Sequence, residues 1–242
     1  MDAIRIEGLT KRYRDVVAVD SLSLSIKEGE LFSLLGVNGA GKTTTIKMLS
    51  CLTSQTSGEA YLLGKSISRD TSEVKSLIAV SPQETAVAPG LSVRENLELM
   101  CGVHGFGKEK SREKIEELTS LLGLESVINK KAGKLSGGWQ RRLSIAMALI
   151  SEPRILFLDE PTLGLDVIAR SELWDLIGSL KGRITIILTT HYMEEAEALS
   201  DRIAIMKDGR LLICDTAEGI KEAAGTDNFE AAFIRIVKGG AR

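Results

Sequence analysis

Hydrophobic residues recur along this chain with two different periods. In residues 3–35 the stretches IRIEG and SLSLSI alternate apolar with polar positions, and VVAV between them is β-branched, so the region reads as half-buried strands. Lys27-Glu28-Gly29-Glu30 interrupts the alternation as a turn. LFSLLG, after it, is almost wholly apolar, the pattern of a strand covered on both faces of a parallel sheet. TTTIKMLS then predicts a helix, with Ile46 and Leu49 on one side.

From about Ser92 to Ile150 the period is helical. Ser92 and Glu95 fit a capping box, and Ile115, Leu118, Leu121 and Leu122 form one apolar face opposite Glu113, Glu116 and Glu117. Strand patterns return with RILFLD, ITIILTT and RIAIM, separated by the helical stretches VIARSELWDLIGSL and MEEAEAL. Strands alternating with helices predict an α/β fold with a mostly parallel sheet covered on both faces. The expected organisation is a core domain over 1–215, interrupted by an α-helical subdomain at about 84–150. A helical extension follows over 216–242, and no internal repeat or low-complexity tract appears.

Composition narrows the function. Of the 242 residues 43% are hydrophobic and 26% charged, the balance of a globular protein, and the net charge is −2, which argues against nucleic-acid binding. Cys51, Cys101 and Cys214 are far apart and odd in number, as expected of free thiols in a reducing compartment. The opening MDAIRIEGLTKRYRD has no apolar core of a signal peptide, and no apolar run reaches the ~20 residues that span a bilayer. The expectation is a cytoplasmic protein whose membrane role, if any, needs a partner.

Three motifs carry chemistry. GVNGAGKT fits the P-loop pattern from Gly36 to Thr43. Glycines at Gly36, Gly39 and Gly41 permit positive φ and close backbone approach, so that successive N–H groups form an anion nest at a helix N-terminus. Lys42 is a mobile cation for the β- and γ-phosphates, and the Thr43 hydroxyl is a Mg²⁺ ligand. Asn38, Ala40 and Thr44 complete the candidate nucleotide-binding loop.

The second motif, RILFLDEP, ends an apolar strand in two carboxylates. Asp159 is suited to hold Mg²⁺ through water and Glu160 to orient and deprotonate an attacking water. Strict alternation sends adjacent strand residues to opposite faces, so both carboxylates reach one site only if the strand stops there, where Pro161 favours a stop. The third motif, KLSGGWQRRLSIAMAL, opens a helix with Ser136-Gly137-Gly138, a second anion-binding terminus. A simple serine N-cap accounts for Ser136 but not for the paired glycines.

This third stretch resembles the LSGGQ signature of ATP-binding cassette (ABC) proteins, with Trp139 and Gln140 where that family often has other residues. Other marks of the family follow in order: Tyr13 resembles the aromatic residue that stacks on adenine, and Gln83 in AVSPQE the Q-loop glutamine, a sensor of Mg²⁺ and permease. Asp166 in LGLD is similar to the D-loop aspartate, and His191 in LTTHYMEEAE to the switch histidine near the γ-phosphate. The resemblance covers about residues 3–215 and implies a RecA-like P-loop NTPase core with an N-terminal antiparallel β subdomain.

It further implies catalytic roles for Glu160, His191, Gln83 and Asp166, metal binding by Thr43, Gln83 and Asp159, and ATP and Mg²⁺ as cofactors. Family members form a head-to-tail dimer in which one subunit's P-loop meets the other's signature. ATP-driven closure of that dimer works a separate transmembrane permease. The implied protein is therefore a homodimer on the inner face of the membrane, held there by its permease. LSGGWQRRLSIA, PTLGLDVIARSELW and the tail NFEAAFIRI resemble the ATPases of ABC-2 type exporters. A soluble cassette ATPase of translation or DNA repair is the alternative, but such proteins join two cassettes or carry long inserts. A GTPase needs an NKxD motif, and the nearest string, Asn129-Lys130-Lys131-Ala132, ends in alanine.

Overall fold

The structure, a computed structural model, describes residues 1–239; the end of the expected tail, 240–242, lies outside the described residues. The alternating N-terminal region forms two long strands, β1 (Asp2–Tyr13) and β2 (Val16–Lys27), paired antiparallel from Asp2↔Lys27 to Tyr13↔Val16. After the turn come β3 (Leu31–Leu35), buried at every position, and α1 (Lys42–Leu49), which buries Ile46 and Leu49. The next elements are β4 (Ser57–Leu62), β5 (Lys65–Ser66), α2 (Thr71–Leu77) and β6 (Ile78–Ser81). Three helices follow: α3 (Val93–Val103), α4 (Lys108–Leu121) and α5 (Gly137–Leu149). The remainder runs β7 (Ile155–Asp159), α6 (Val167–Leu180), β8 (Thr185–Thr190), α7 (Met193–Leu199), β9 (Arg202–Lys207), β10 (Arg210–Asp215), α8 (Ala217–Ala224) and α9 (Phe229–Gly239).

The strands make two sheets, the first antiparallel in the order β2-β1-β4-β5. The second has the order β10-β9-β3-β8-β7-β6, and its pairs from β9 to β6 are all parallel. An α/β core with a mostly parallel sheet and a separate antiparallel β layer is therefore present. The exception within the parallel sheet is β10, which returns antiparallel to β9. RLLICD gave no alternation of its own, but Asp208-Gly209 before it is a two-residue hairpin signal, and both residues have positive φ (50° and 78°).

The helices cover the parallel sheet from both sides. One apolar cluster joins Val93, Leu97, Ile115, Leu118 and Leu143 of α3–α5 to Leu156, Leu158, Ile186 and Leu188 of the sheet. A second packs β1, β2, β4 and α1 against the opposite face, with Phe32, Phe157 and Ile187 in its centre. Ser92 caps α3 in a full capping box with Glu95. In the tail, Thr216 caps α8 through the Gly219 N–H, and α9 buries Phe229, Ala232 and Phe233 against Leu35, Ile203 and Ile205. The tail thus packs behind the strand that leads into the P-loop.

Candidate functional site

All the strand ends that matter face the same way. In a parallel sheet the carboxyl ends lie along one edge, where ligands bind. Here β3 delivers the loop from Gly36, β6 delivers Gln83, β7 ends in Asp159, and β8 leads into His191. Tyr13, Val16, Val17, Ala18, Asn38–Thr44, Gln83, Glu160 and Asp208 line one open cleft of about 500 Å³.

The P-loop geometry follows from its glycines. Gly39 and Gly41 have φ of 84° and 100°. Gly41 needs glycine twice over, because a Cβ there would also lie 2.5 Å from the Ala18 carbonyl. At Gly36 a Cβ would lie 2.4 Å from the Met206 carbonyl. The loop is braced by the hairpin tip, where Gly209 N–H donates to Ala40 O (3.2 Å) and Asp20 N–H to Gly209 O (2.9 Å).

Lys42 opens α1 and is buried. Its ammonium donates to Gly36 O (2.6 Å) and lies 3.4 Å from Oε1 of Glu160. The Thr43 hydroxyl donates to Oδ1 of Asp159 (3.1 Å), and Thr189 on β8 donates to the same oxygen. A hydroxyl and a carboxylate thus converge beside the phosphate-binding loop.

The two adjacent carboxylates reach one site because the strand stops between them. β7 ends at Asp159, and Glu160 adopts a left-handed φ of 49°, unusual for a residue with a side chain. Its N–H is held by Thr189, through both O (3.1 Å) and Oγ1 (3.0 Å). This twist sends the Glu160 carboxylate toward Lys42 on one side and His191 on the other, with Oε2 at 2.7 Å from His191 Nδ1.

Other expected residues are placed differently. Gln83 is exposed at the cleft and Tyr13 half-exposed at its rim, with Lys11 over its ring. Asp166 caps α6, accepting from the Ala169 N–H (2.9 Å). Ser136 stands at the N-cap of α5 but its side chain makes no capping bond, and neither it nor Gly137 nor Gly138 lines the cleft. The paired glycines do have a packing reason: a Cβ at Gly138 would press on Ala169 Cβ at 3.2 Å, and one at Gly137 would touch Leu165. Close approach of α5 to the start of α6 thus limits side-chain size there.

One residue had no sequence signal beyond its place in the signature helix. Arg141, buried, donates to the carbonyls of Pro82 (2.6 Å), Gln83 (2.6 Å) and Glu160 (3.4 Å). It ties α5 to the two segments that carry Gln83 and Glu160. Burial pulls its pKa down from the usual arginine value, and Asp159 is the first of the charges that offset the pull.

A glycine-bent phosphate loop between β3 and α1, faced by carboxylates from β7, defines a P-loop nucleotide-binding ATPase of α/β fold. Residues 19–163 match the family model described as ABC transporter. The chain is 39% identical over 247 residues to the daunorubicin resistance ATP-binding protein DrrA2 of Streptomyces coeruleorubidus, covering 99% of this chain and 77% of that one. It is 42% identical over 226 residues to the human phospholipid-transporting ATPase ABCA3, covering 92% of this chain but only 13% of that much longer protein. Among solved structures, a dimeric ATP-binding cassette in a post-hydrolysis state with ADP and Pi is similar, with TM-score 0.78, 29% identity, and coverage of 88% of this chain and 98% of that one. The chain belongs to the ABC transporter family, and it is an ATP-binding, ATP-hydrolysing cassette of that family.

Proposed function

We propose that this chain is the nucleotide-binding subunit that powers a separate membrane permease, working in export. The observation that carries the reading is the position of Glu160, which meets the P-loop lysine through one oxygen and His191 through the other. In this role Glu160 is the general base for the attacking water, and His191 holds its carboxylate in place. Lys42 and the loop N–H groups of Gly36–Thr44 take the phosphates, Tyr13 the base, and Gln83 and Asp166 the coupling between sites.

A magnesium ion carried by the nucleotide would be held at the end of β7, beside the P-loop. Among the described residues no group of three or more His, Cys, Asp or Glu side chains is arranged to hold a metal. Magnesium bound with phosphates needs only one or two protein ligands, and the Thr43–Asp159 pair fits that demand, with Gln83 nearby at the cleft. The ion's charge offsets that of the phosphates.

The signature residues Ser136–Gly138 lie outside the P-loop cleft, which supports a site completed by a second copy of the chain. Leu163, Val167 and Ile168, exposed apolar residues around Asp166, support a covered surface there. Among the described residues no helix is long and apolar enough to cross a membrane, so membrane attachment in this reading falls to the permease. Relatives named for daunorubicin resistance and multidrug transport support export. The test is co-expression with a candidate permease, a protein of about six apolar spans sought in the neighbouring reading frame. Membrane flotation and Mg·ATPase activity are both expected to depend on that permease, and flotation of the chain alone would refute permease-borne attachment.

A further inference from the structure

Behind the Glu160–His191 pair lies a second carboxyl that ATP hydrolysis, as derived above, does not use. Glu195, in the first turn of α7, is fully buried. Its Oε1 accepts from the indole N–H of Trp174 on α6 (3.1 Å). The rest of the carboxyl faces the hydroxyls of Thr190 and Thr162. Thr162 comes two residues after Glu160, and Thr190 comes immediately before His191. Glu195 therefore touches the chain just behind each member of the catalytic pair and links both to α6.

The polar accounting at this spot is incomplete. Oε2 of Glu195 and Oγ1 of Thr162 are both buried, and neither meets a partner at hydrogen-bonding geometry. A small rotation of the carboxyl pairs the two atoms in either its ionised or its neutral form, since a hydroxyl both donates and accepts. Burial pushes the Glu195 carboxyl up toward that neutral form and the Glu160 charge adds to the push, while Thr190, Thr162 and Trp174 pull back.

We propose that Glu195 is a positioning residue for hydrolysis: anchored by Trp174, its buried carboxyl fills the space behind the Thr162 and Thr190 segments and so fixes the 2.7 Å approach of His191 to Glu160. The proposal rests on the reading of Glu160 as the base. It makes Glu195 act on turnover and not on nucleotide capture, because none of its contacts reaches the P-loop cleft. The side chain needed is an acceptor for the Trp174 N–H with a second polar arm beside the threonine hydroxyls, which a glutamine amide also supplies.

The test compares Glu195→Ala and Glu195→Gln with the wild-type chain by steady-state Mg·ATPase assay and ATP binding. For Glu195→Ala, kcat is expected to fall roughly tenfold or more, the scale of a misplaced reacting group, with KM and ATP affinity within about twofold. Glu195→Gln is expected to restore kcat to within about twofold of wild type. Unchanged kcat in Glu195→Ala, an equal loss in ATP affinity, or a folded Glu195→Gln as slow as the alanine variant would each overturn the proposal. If Glu195→Ala does not fold, Trp174→Phe, which removes the indole donor along with the pyrrole ring, carries the same test: it should lower kcat severalfold at constant KM, and an unchanged kcat overturns the proposal. A wild-type chain with no Lys42-dependent ATPase counts against the site reading itself. Lys42-dependent turnover that is indifferent to Glu195 counts against this proposal alone.

Discussion

Nδ1 of His191 lies 2.7 Å from Oε2 of Glu160, although the two residues leave different strands. With the proton on Nδ1, the imidazole donates to the carboxylate and fixes its direction, leaving Oε1 toward Lys42. A base held by a neighbour in this way is lost when its basicity is removed and its shape kept. Glu160→Gln should therefore bind ATP and scarcely turn it over, with kcat down about 100-fold or more. The ATP-bound form should accumulate as a dimer, seen as a doubled mass by light scattering on adding Mg·ATP. Wild-type turnover in a monomeric Glu160→Gln protein would remove Glu160 from the role of base.

Lys42 is the one cation among the residues that line the cleft. It is buried and spans the Gly36 carbonyl and the Glu160 carboxylate, so its ammonium is held where a phosphate chain arrives. Replacing it with alanine removes that charge from a desolvated site. Lys42→Ala should weaken ATP binding by about 3 kcal/mol, roughly a hundredfold in Kd, measured by calorimetry or a fluorescent analogue. Undiminished affinity would contradict the P-loop assignment.

Arg141 supplies a stability test separate from chemistry. Its guanidinium serves three carbonyls from two segments. Arg141→Met fills similar volume but removes the donor from the buried Glu160 carbonyl and from the part-buried carbonyls of Pro82 and Gln83. The variant should lose about 3 kcal/mol of stability or more, read from the midpoint of urea unfolding. It should also loosen Gln83 and Glu160 together, so that ATPase falls even where the protein remains folded. A midpoint equal to the wild type's would show that the bridge contributes nothing.

Much of this architecture was legible because it is local. LFSLL, ILFLD and TIILTT are apolar at nearly every position, and each became a buried parallel strand. Ser92 and Glu95 announced their own capping box. Glu160 marks where local reading ends. Alternation allows the question of how two adjacent carboxylates share a site but not the answer, a left-handed φ held by Thr189 from another strand. Arg141 and Glu195 were invisible for the same reason, since their partners lie 19–59 and 21 residues away in sequence. Ser136 sits at an N-cap without capping, and the close approach of Leu165 and Ala169 limits side-chain size at the glycines beside it, which no local pattern announces.

The separation of Ser136 from the P-loop cleft gives the last prediction. One chain carries one P-loop, and its exposed Ser136-Gly137 helix start has no phosphate-binding partner within the cleft. If each complete site joins one chain's P-loop to the other's signature, two defective chains can rescue each other. Take one chain with Lys42→Ala and a second with Ser136→Ala. In their mixed dimer one site pairs the damaged P-loop with the damaged signature, and the other pairs two intact halves. Neither parent dimer contains an intact site. Adding Glu160→Gln to both chains removes turnover, so that trapped nucleotide per dimer is the readout and cooperative hydrolysis is not required. Mixed dimers should trap about one nucleotide, and each parent dimer markedly less. If each site were built within a single chain, every site in the mixture would carry one lesion, and mixing would trap no more nucleotide than the parents do.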